Sequence, residues 1–258
     1  MMHRALLGVV FFGLAAVTQP AAAQIHIDLN IPALKLAVYE GDELLKTYPI
    51  AVGMPGFDTP TGEFEITHAE WNPWWTPPTN REWAKDEKRT PPGPNNPMGR
   101  VKLFFLPLYF IHGTPDGASV GTPASHGCVR MLNEDVVELA RLIHEKVAPQ
   151  VSSAELDRLT ARFGSNQRVN FQSGIDLTVR YDAIVVENGE IFVYPDIYER
   201  NAINSEAVYQ ALLAAGYDVR NLAPADVRSY IEDVKGQKVP VITKVDEAFT
   251  SGLALVAR

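Results

Sequence analysis

Strand-like alternation of apolar and polar positions dominates the chain between residues 34 and 111. Alternation predicts strands because successive side chains of a strand point to opposite faces of a sheet. The segments that carry it are residues 34–39, 44–48, 62–66, 101–105 and 108–111. A turn at Glu40-Gly41-Asp42 separates the first two. This part of the chain is therefore predicted to be rich in β-structure.

A helical period follows residue 132. Asn133 is a candidate N-cap, and the apolar stripe after it has the spacing of one helix face: Val136, Ala140, Ile143 and Val147. A second helix is predicted after Ser152, whose spacing to Glu155 is that of a capping box, with Gly164 as the candidate stop. Two helices are thus expected to flank the strands.

The last part of the chain mixes strands with short helices. The predicted strands are residues 169–171, 177–180, 184–187 and 190–194, and Asn188-Gly189 is a hairpin turn between the last two. The predicted helices are residues 205–215 and 224–235, and an extended piece follows at 239–242. We therefore predict an α+β protein, with a β-rich domain over 24–198 and a small helical C-terminal subdomain over 199–258.

Neither the strand-like alternation nor the helical period is present between residues 71 and 97. This segment is called the Trp/Pro-rich loop below. It contains all four tryptophans and seven of the prolines. Loops of this length in compact domains tend to be lids or binding loops, and indole rings cover a cleft at little cost in entropy. Two interpretations stay open: the rings, Trp74 and Trp75 among them, line a binding site, or they only cover the core.

The N-terminus has the order of a secretory signal. Arg4 precedes an apolar run from Ala5 to Val17, and Ala21-Ala22-Ala23 follows. We predict that residues 1–23 are a signal peptide, cleaved before Gln24, and that the mature protein is exported, for example to a periplasm, without a membrane anchor. The net charge of −8 argues against nucleic acid as a partner.

The chain has a single cysteine, Cys128, so it cannot form the intramolecular disulfide that exported proteins commonly use. Its neighbours suggest catalysis. A nucleophilic cysteine needs a base or a positive charge nearby, and His126 and His112 are the candidates, the latter followed by Gly113. Gly127 lets a substrate carbonyl approach main-chain N–H groups.

A metal site is the alternative for the same side chains, since His112, His126 and Cys128 offer three soft ligands. The His-x-Cys spacing is not a usual zinc spacing, and a well-matched nucleophile motif explains the same residues. We therefore expect neither a metal nor another cofactor.

These residues resemble the L,D-transpeptidase catalytic-domain family (YkuD-like), in the exported branch that carries a C-terminal subdomain. The matching elements are His112-Gly113, a spacer in the middle teens, Ser125-His126-Gly127-Cys128 and then Arg130. The resemblance implies a sandwich-like, β-rich catalytic domain. It also implies that Cys128 is the nucleophile, that His112 is the base and that the Gly113 carbonyl orients His112.

The same resemblance implies the remaining roles. The N–H groups of His126, Gly127 and Cys128 would stabilise the oxyanion. Ser125 would contact the substrate, and Arg130 would hold the loop or face a substrate carboxylate. The implied reaction is attack of Cys128 on the third-residue carbonyl of a peptidoglycan tetrapeptide stem, release of D-alanine, and transfer to an amine in a 3→3 cross-link.

Several functions stay open at this point. The same thioester serves an L,D-carboxypeptidase or hydrolase, an enzyme that anchors lipoproteins, and an enzyme that exchanges D-amino acids. A wall-binding module without activity is a further alternative. The expected partners are stem peptides, as donor and acceptor, and the expected oligomeric state is a monomer.

Overall fold

The computed structural model describes residues 24–249 and 253–255. The predicted signal peptide therefore lies outside the described residues. Thirteen strands are present in this part of the chain: β1 (Ile25–Asn30), β2 (Lys35–Glu40), β3 (Glu43–Pro49), β4 (Val52–Gly53), β5 (Gly62–Trp71), β6 (Val101–Leu106), β7 (Tyr109–Thr114), β8 (Pro123–Ser125), β9 (Val129–Leu132), β10 (Gln167–Arg180), β11 (Ile184–Glu187), β12 (Glu190–Val193) and β13 (Val241–Lys244). The helices described are α1 (Asn133–Val147), α2 (Ser153–Ala161), α3 (Ser205–Ala214), α4 (Pro224–Val234) and α5 (Val245–Ala248).

One mixed sheet organises the first part of the chain, in the order β3-β2-β1-β10-β5-β6-β7-β9. Most neighbours are antiparallel, but β1 runs parallel to β10 and β7 runs parallel to β9. Helix α1 packs on this sheet against β6, β7 and β10. The fold is therefore sheet-dominated with a few helices, as predicted.

Helix α1 buries the predicted stripe: Val136, Ala140, Ile143 and Val147. The N-cap prediction was wrong, because Leu132 precedes the helix and Asn133 is its first residue. The amide of Asn133 is used elsewhere: its Oδ1 accepts from the Arg100 N–H at 2.9 Å and its Nδ2 donates to the Thr114 carbonyl at 3.0 Å. It ties the start of β6 to the end of β7.

Helix α2 begins as predicted, since the Ser152 hydroxyl accepts a hydrogen bond from the Glu155 N–H at 3.2 Å. The predicted stop was wrong: the helix ends at Ala161, before Gly164, and Arg162 is already extended. The two strands predicted at 169–171 and 177–180 are one strand, β10, with an irregularity between Asn170 and Ile175 where it pairs with β5.

A second hydrophobic core lies in the last part of the described chain. Strands β11, β12 and β13 form a three-stranded sheet, and α3 and α4 share its buried cluster. The predicted hairpin turn is present, with positive φ at Asn188 (52°) and Gly189 (80°). The hairpin contributes Ile184 and Val193 to this cluster, whereas Ile197 and Tyr198, which follow it, pack against the first core. The two cores therefore do not divide at one residue, and the domain boundary at 198 stays a prediction.

Over residues 24–249 and 253–255, no helix combines the length and the apolar character that crossing a bilayer requires.

Candidate active site

A cleft of about 680 Å³ lies between one end of the main sheet and the Trp/Pro-rich loop. The predicted site residues that line it are Trp74, Trp75, His112, Ser125, His126, Cys128 and Arg130. The structure therefore brings together side chains up to 56 positions apart in the sequence, from Trp74 to Arg130.

Strand register places the polar groups of one wall. In the parallel pair β7/β9, His112 lies beside Arg130, and in the antiparallel pair β6/β7 it lies beside Lys102. Cys128 stands directly before β9, two positions from Arg130, so it falls on the same face. The sheet thus carries Cys128, His112 and two cations on adjacent strands.

His112 is buried and oriented by its own neighbour. Its Nδ1 lies 2.7 Å from the Gly113 carbonyl, which only accepts hydrogen bonds, so Nδ1 carries the proton and Nε2 keeps its lone pair. Burial lowers the pKa of His112 to about 3, and the positive charges of Arg130 and Lys102 add to that shift. His112 is therefore a neutral imidazole at physiological pH, in the tautomer that a base needs.

Cys128 is in a desolvated position at the floor of the cleft. Its Sγ lies 3.5 Å from the carbonyl of Leu108, a residue held at a φ of 69° in the β6–β7 turn. Burial raises the pKa of Cys128 to about 11, against opposing effects of a main-chain hydrogen bond from Phe110 and of Arg130 and Lys102. The resting site therefore holds a thiol and a neutral imidazole rather than a thiolate with an imidazolium.

Gly113 is required by close packing. A Cβ at this position would lie 2.4 Å from the Asn133 Oδ1 and 3.0 Å from a Val136 methyl group. A side chain here would displace the Asn133 bridge and with it the carbonyl that orients His112. The glycine that follows the histidine in the motif thus has a steric reason.

The loop before Cys128 is fixed by two hydroxyl groups. The Ser125 hydroxyl accepts from the Gly127 N–H at 3.0 Å and donates to the Cys128 carbonyl at 2.5 Å. Thr59 donates to the Gly127 carbonyl at 3.0 Å and accepts from the Gly53 N–H at 2.9 Å. Gly127 itself has a φ of 106°, which disfavours other residues.

These contacts bear on two residues whose roles stay predictions. The Gly127 N–H, a predicted oxyanion donor, donates to the Ser125 hydroxyl. The Ser125 hydroxyl, a predicted substrate contact, makes both of its hydrogen bonds within the loop. The N–H groups of His126 and Cys128 donate to no acceptor within residues 24–249 and 253–255, so they remain available.

The Trp/Pro-rich loop forms the opposite wall and contacts the Cys loop through stacked rings. The Trp83 ring lies 4.0 Å from that of His126 with an interplanar angle of 7°, and Trp75 stacks behind it at 6.4 Å. Arg89 lies 4.1 Å from the Trp74 ring. The side chain of His126 therefore faces the loop, whereas its main chain belongs to the Cys loop.

One buried amide organises this loop. The Asn96 Nδ2 group lies within 2.9–3.1 Å of the carbonyls of Pro73, Thr90 and Pro91. Its Oδ1 accepts from the Met98 N–H at 2.8 Å. The segment is thus an ordered structure without regular periodicity.

Trp71 corrects the view that all four tryptophans belong to one loop. It is the last residue of β5 and is fully buried, and its indole N–H donates to Nε2 of His144 at 3.2 Å. The other three tryptophans line the cleft. Each interpretation of the rings therefore holds for part of the set: Trp71 packs in the core, and the other three tryptophans line the cleft.

Sequence reasoning missed Thr59, Asn96 and the ion pair Glu70–Lys102, whose side chains also line or support the cleft. Glu70 and Lys102 are charged residues at half-buried positions of β5 and β6, and only the pairing of the strands brings them to His112. Within the described residues, no group of three histidine, cysteine or acidic side chains is arranged to hold a metal ion.

Comparison with known proteins agrees with this geometry. Residues 24–151 match the family model of the L,D-transpeptidase catalytic domain, YkuD. This part of the chain belongs to the L,D-transpeptidase catalytic domain family. The match includes the strands and loops that carry His112 and Cys128, so the resemblance to this catalytic domain is confirmed, whereas the exported branch with a C-terminal subdomain stays a prediction.

Relatives whose names carry the same family support this assignment. YkuD of Bacillus subtilis is 36% identical over 124 residues, which cover 48% of this chain and 63% of the relative. ErfK/SrfK of Escherichia coli is 31% identical over 157 residues, 57% of this chain and 50% of the relative. The chain thus spans between half and two thirds of the length of these L,D-transpeptidase relatives. An L,D-transpeptidase structure from Mycobacterium smegmatis aligns at 18% identity with a TM-score of 0.40, covering 61% of this chain and 59% of that one.

Proposed function

We propose that this protein is a cysteine-dependent peptidoglycan L,D-transpeptidase. The observation that carries the proposal is the position of Cys128 in one cleft with His112, whose tautomer is set by the Gly113 carbonyl, and with Arg130. The family of residues 24–151 supports the reaction class. The predicted export fits a substrate that lies outside the cytoplasm.

In the proposed first step, Cys128 attacks the carbonyl of the third stem residue. The thiol proton passes to Nε2 of His112 as the S–C bond forms, because both groups are neutral at rest. The free N–H groups of His126 and Cys128 stabilise the oxyanion. As the C–N bond breaks, His112 returns the proton to the amine of the departing D-alanine, which leaves a thioester on Cys128.

Arg130 is proposed to bind the carboxylate of that departing residue. Its guanidinium lines the cleft and has no ion-pair or hydrogen-bond partner within the described ranges 24–249 and 253–255. An arginine offers two parallel N–H groups to a carboxylate. The terminal carboxylate would then hold the scissile carbonyl above Cys128.

The second step is transfer of the acyl group to an amine of another stem peptide. The stacked rings of Trp75 and Trp83 lie against the Cys loop, and such a wall limits the access of water to the thioester. This favours aminolysis over hydrolysis. His112 accepts the proton of the incoming amine as the C–N bond forms, and it passes this proton to Sγ of Cys128 as the C–S bond breaks, which restores the resting thiol and imidazole.

The test is incubation of the protein with purified disaccharide-tetrapeptide, with products resolved by mass. We expect loss of terminal D-alanine from the donor and appearance of a dimer joined through a 3→3 bond. The Cys128→Ser variant is the matched control. A wild-type protein with an alkylatable thiol that leaves the tetrapeptide intact would refute the proposal. Hydrolysed monomer alone would assign a carboxypeptidase, and transfer to added D-amino acids alone would assign an exchange enzyme.

A further inference from the structure

Five ionisable side chains lie side by side across the main sheet. Strand pairing places Arg168 of β10 beside Glu70 of β5, Glu70 beside Lys102 of β6, Lys102 beside His112 of β7, and His112 beside Arg130 of β9. Partners in register on neighbouring strands are about 5 Å apart and point to the same face. The row therefore leads from the middle of the sheet, at β10, to the proposed catalytic pair near its β9 edge.

The centre of the row is a sheltered ion pair. Lys102 Nζ lies 2.9 Å from Glu70 Oε2, and the two side chains are 12% and 19% exposed, less than in any other ion pair of the described residues. The ammonium lies 4.7 Å from the centre of the Phe104 ring and 4.9 Å from that of Phe110. A charge in such a position is poorly screened by solvent.

Glu70 is itself held in place. Its Oε1 accepts a hydrogen bond from Asn166 Nδ2 at 2.8 Å, so both carboxylate oxygens have a partner. Glu70, Lys102 and Asn166 line the same cleft as Cys128. The pair therefore has a fixed geometry and contributes to the electric field in the cleft.

We infer that Lys102, held by Glu70, is a positioning residue whose charge stabilises the thiolate that Cys128 becomes as it gives up its proton. The importance of this charge for catalysis rests on the proposed function. Glu70 tunes the effect, because its negative charge offsets part of the ammonium's field at Cys128. Removing the charge of Lys102 and removing the charge of Glu70 therefore change the electric field at Cys128 in opposite directions.

Other charged groups face the same cleft and act on the same thiol. Those on the sheet wall are His112 and Arg130, and those on the loops are Asp58, Arg81, Glu87, Arg89 and His126. The loop groups are more exposed or, as for Asp58, paired with Arg200 at 3.0 Å. Lys102 is more buried than these loop groups, and it shares the sheet wall with Arg130, whose positive charge also lowers the pKa of Cys128.

The experiment measures alkylation of Cys128 by iodoacetamide against pH in the full chain, where it is the single cysteine. The midpoint of the rate profile reports ionisation of the thiol. We expect Lys102→Met to raise the midpoint by about one pH unit and Glu70→Gln to lower it by less, because Glu70 lies one strand farther from Cys128 than Lys102 does. The double variant should lie between the two single variants, and Lys102→Arg should keep the wild-type midpoint.

A structural role predicts something different. If the pair only supports the sheet, Lys102→Met and Glu70→Gln move the midpoint in the same direction or not at all, and that result overturns the inference. If Lys102→Met fails to fold because Glu70 is left without its partner, Glu70→Gln and the double variant still decide. Glu40→Gln, at the more exposed Lys146–Glu40 pair, is the control and should leave the midpoint unchanged.

The readout separates this inference from the proposed function. Alkylation needs no stem peptide, so opposite shifts without any turnover would reject the transpeptidase and keep the electrostatic role. Normal turnover with unshifted midpoints would reject the electrostatic role alone.

Discussion

The two walls of the cleft are built on different physical principles. The sheet wall holds His112 and Arg130 on hydrogen-bonded strands, and glycines such as Gly113 are fixed by contacts that tolerate no Cβ. The loop wall has no such ladder: it is held by the Asn96 amide and by the stack of Trp75 and Trp83 on His126. The comparison suggests that the sheet wall performs the chemistry while the loop wall selects what reaches it.

The largest expected effect is on the sheet wall, at the proposed nucleophile Cys128. Cys128→Ala should abolish release of D-alanine, since no other thiol is present in the chain. The melting temperature should change little, because the substitution removes only one sulfur atom at the cleft surface. Mass spectrometry of the products and thermal unfolding measure the two. Residual release by the variant would move the chemistry away from Cys128.

The next effect compares two histidines: His112 on the sheet wall and His126, whose ring stacks on the loop wall. His112→Ala should slow acylation by about 10²–10⁴-fold, the usual contribution of a positioned base. His126→Ala should cost less, since its imidazole contacts Trp83 and Phe57 rather than His112 or the thiol within the described residues. Single-turnover kinetics measure the rates, and the pH profile of thiol alkylation is the second readout. Equal losses, with equal changes of the profile, would contradict the division between the walls.

Two sets of tryptophans test the loop wall. Trp74→Ala combined with Trp75→Ala should weaken donor binding and raise hydrolysis relative to cross-linking by several-fold, with a small change in melting temperature. Trp71→Ala is the matched control: its ring is fully buried, so we expect a loss of about 3–5 kcal/mol in stability and an unchanged product ratio. A product ratio that changes with Trp71 but not with Trp74 and Trp75 would reverse the assignment.

The smallest effect concerns the stability of the sheet wall against pH. Because the pKa of His112 falls from 6.5 to about 3 on burial, the unfolded chain binds a proton in this interval and the folded chain does not. The contribution of neutral His112 to the free energy of unfolding is therefore fully present above pH 6.5 and is lost as the pH falls toward 3. Buried His144, whose pKa is also lowered by burial, adds to the same trend.

Urea unfolding at several pH values measures this dependence. His112→Gln should flatten it, whereas the same change at His126, whose side chain is exposed, should leave most of it in place. A slope unaffected by His112→Gln would show that the histidine is protonated as easily in the folded protein as in the unfolded one.

Local patterns were enough to predict much of the molecule. The stripe of α1, the cap of α2 at Ser152 and the turn at Asn188-Gly189 each depend on residues within one turn or one hairpin, so spacing alone identifies them. The His-Gly and Ser-His-Gly-Cys elements indicated the family in the same way, because their chemistry requires particular residue types at fixed positions.

Only the tertiary structure decided which of these residues meet. Local pattern gives no reason to connect Glu70 with Lys102, but the register of β5, β6 and β7 puts them in one row with His112. Likewise, composition groups Trp71 with Trp74, although one ends a strand in the core and the other lines the cleft. The sequence determines what each segment favours by itself, while contacts between distant segments follow from the pairing of strands and the packing of the core, which no local pattern contains.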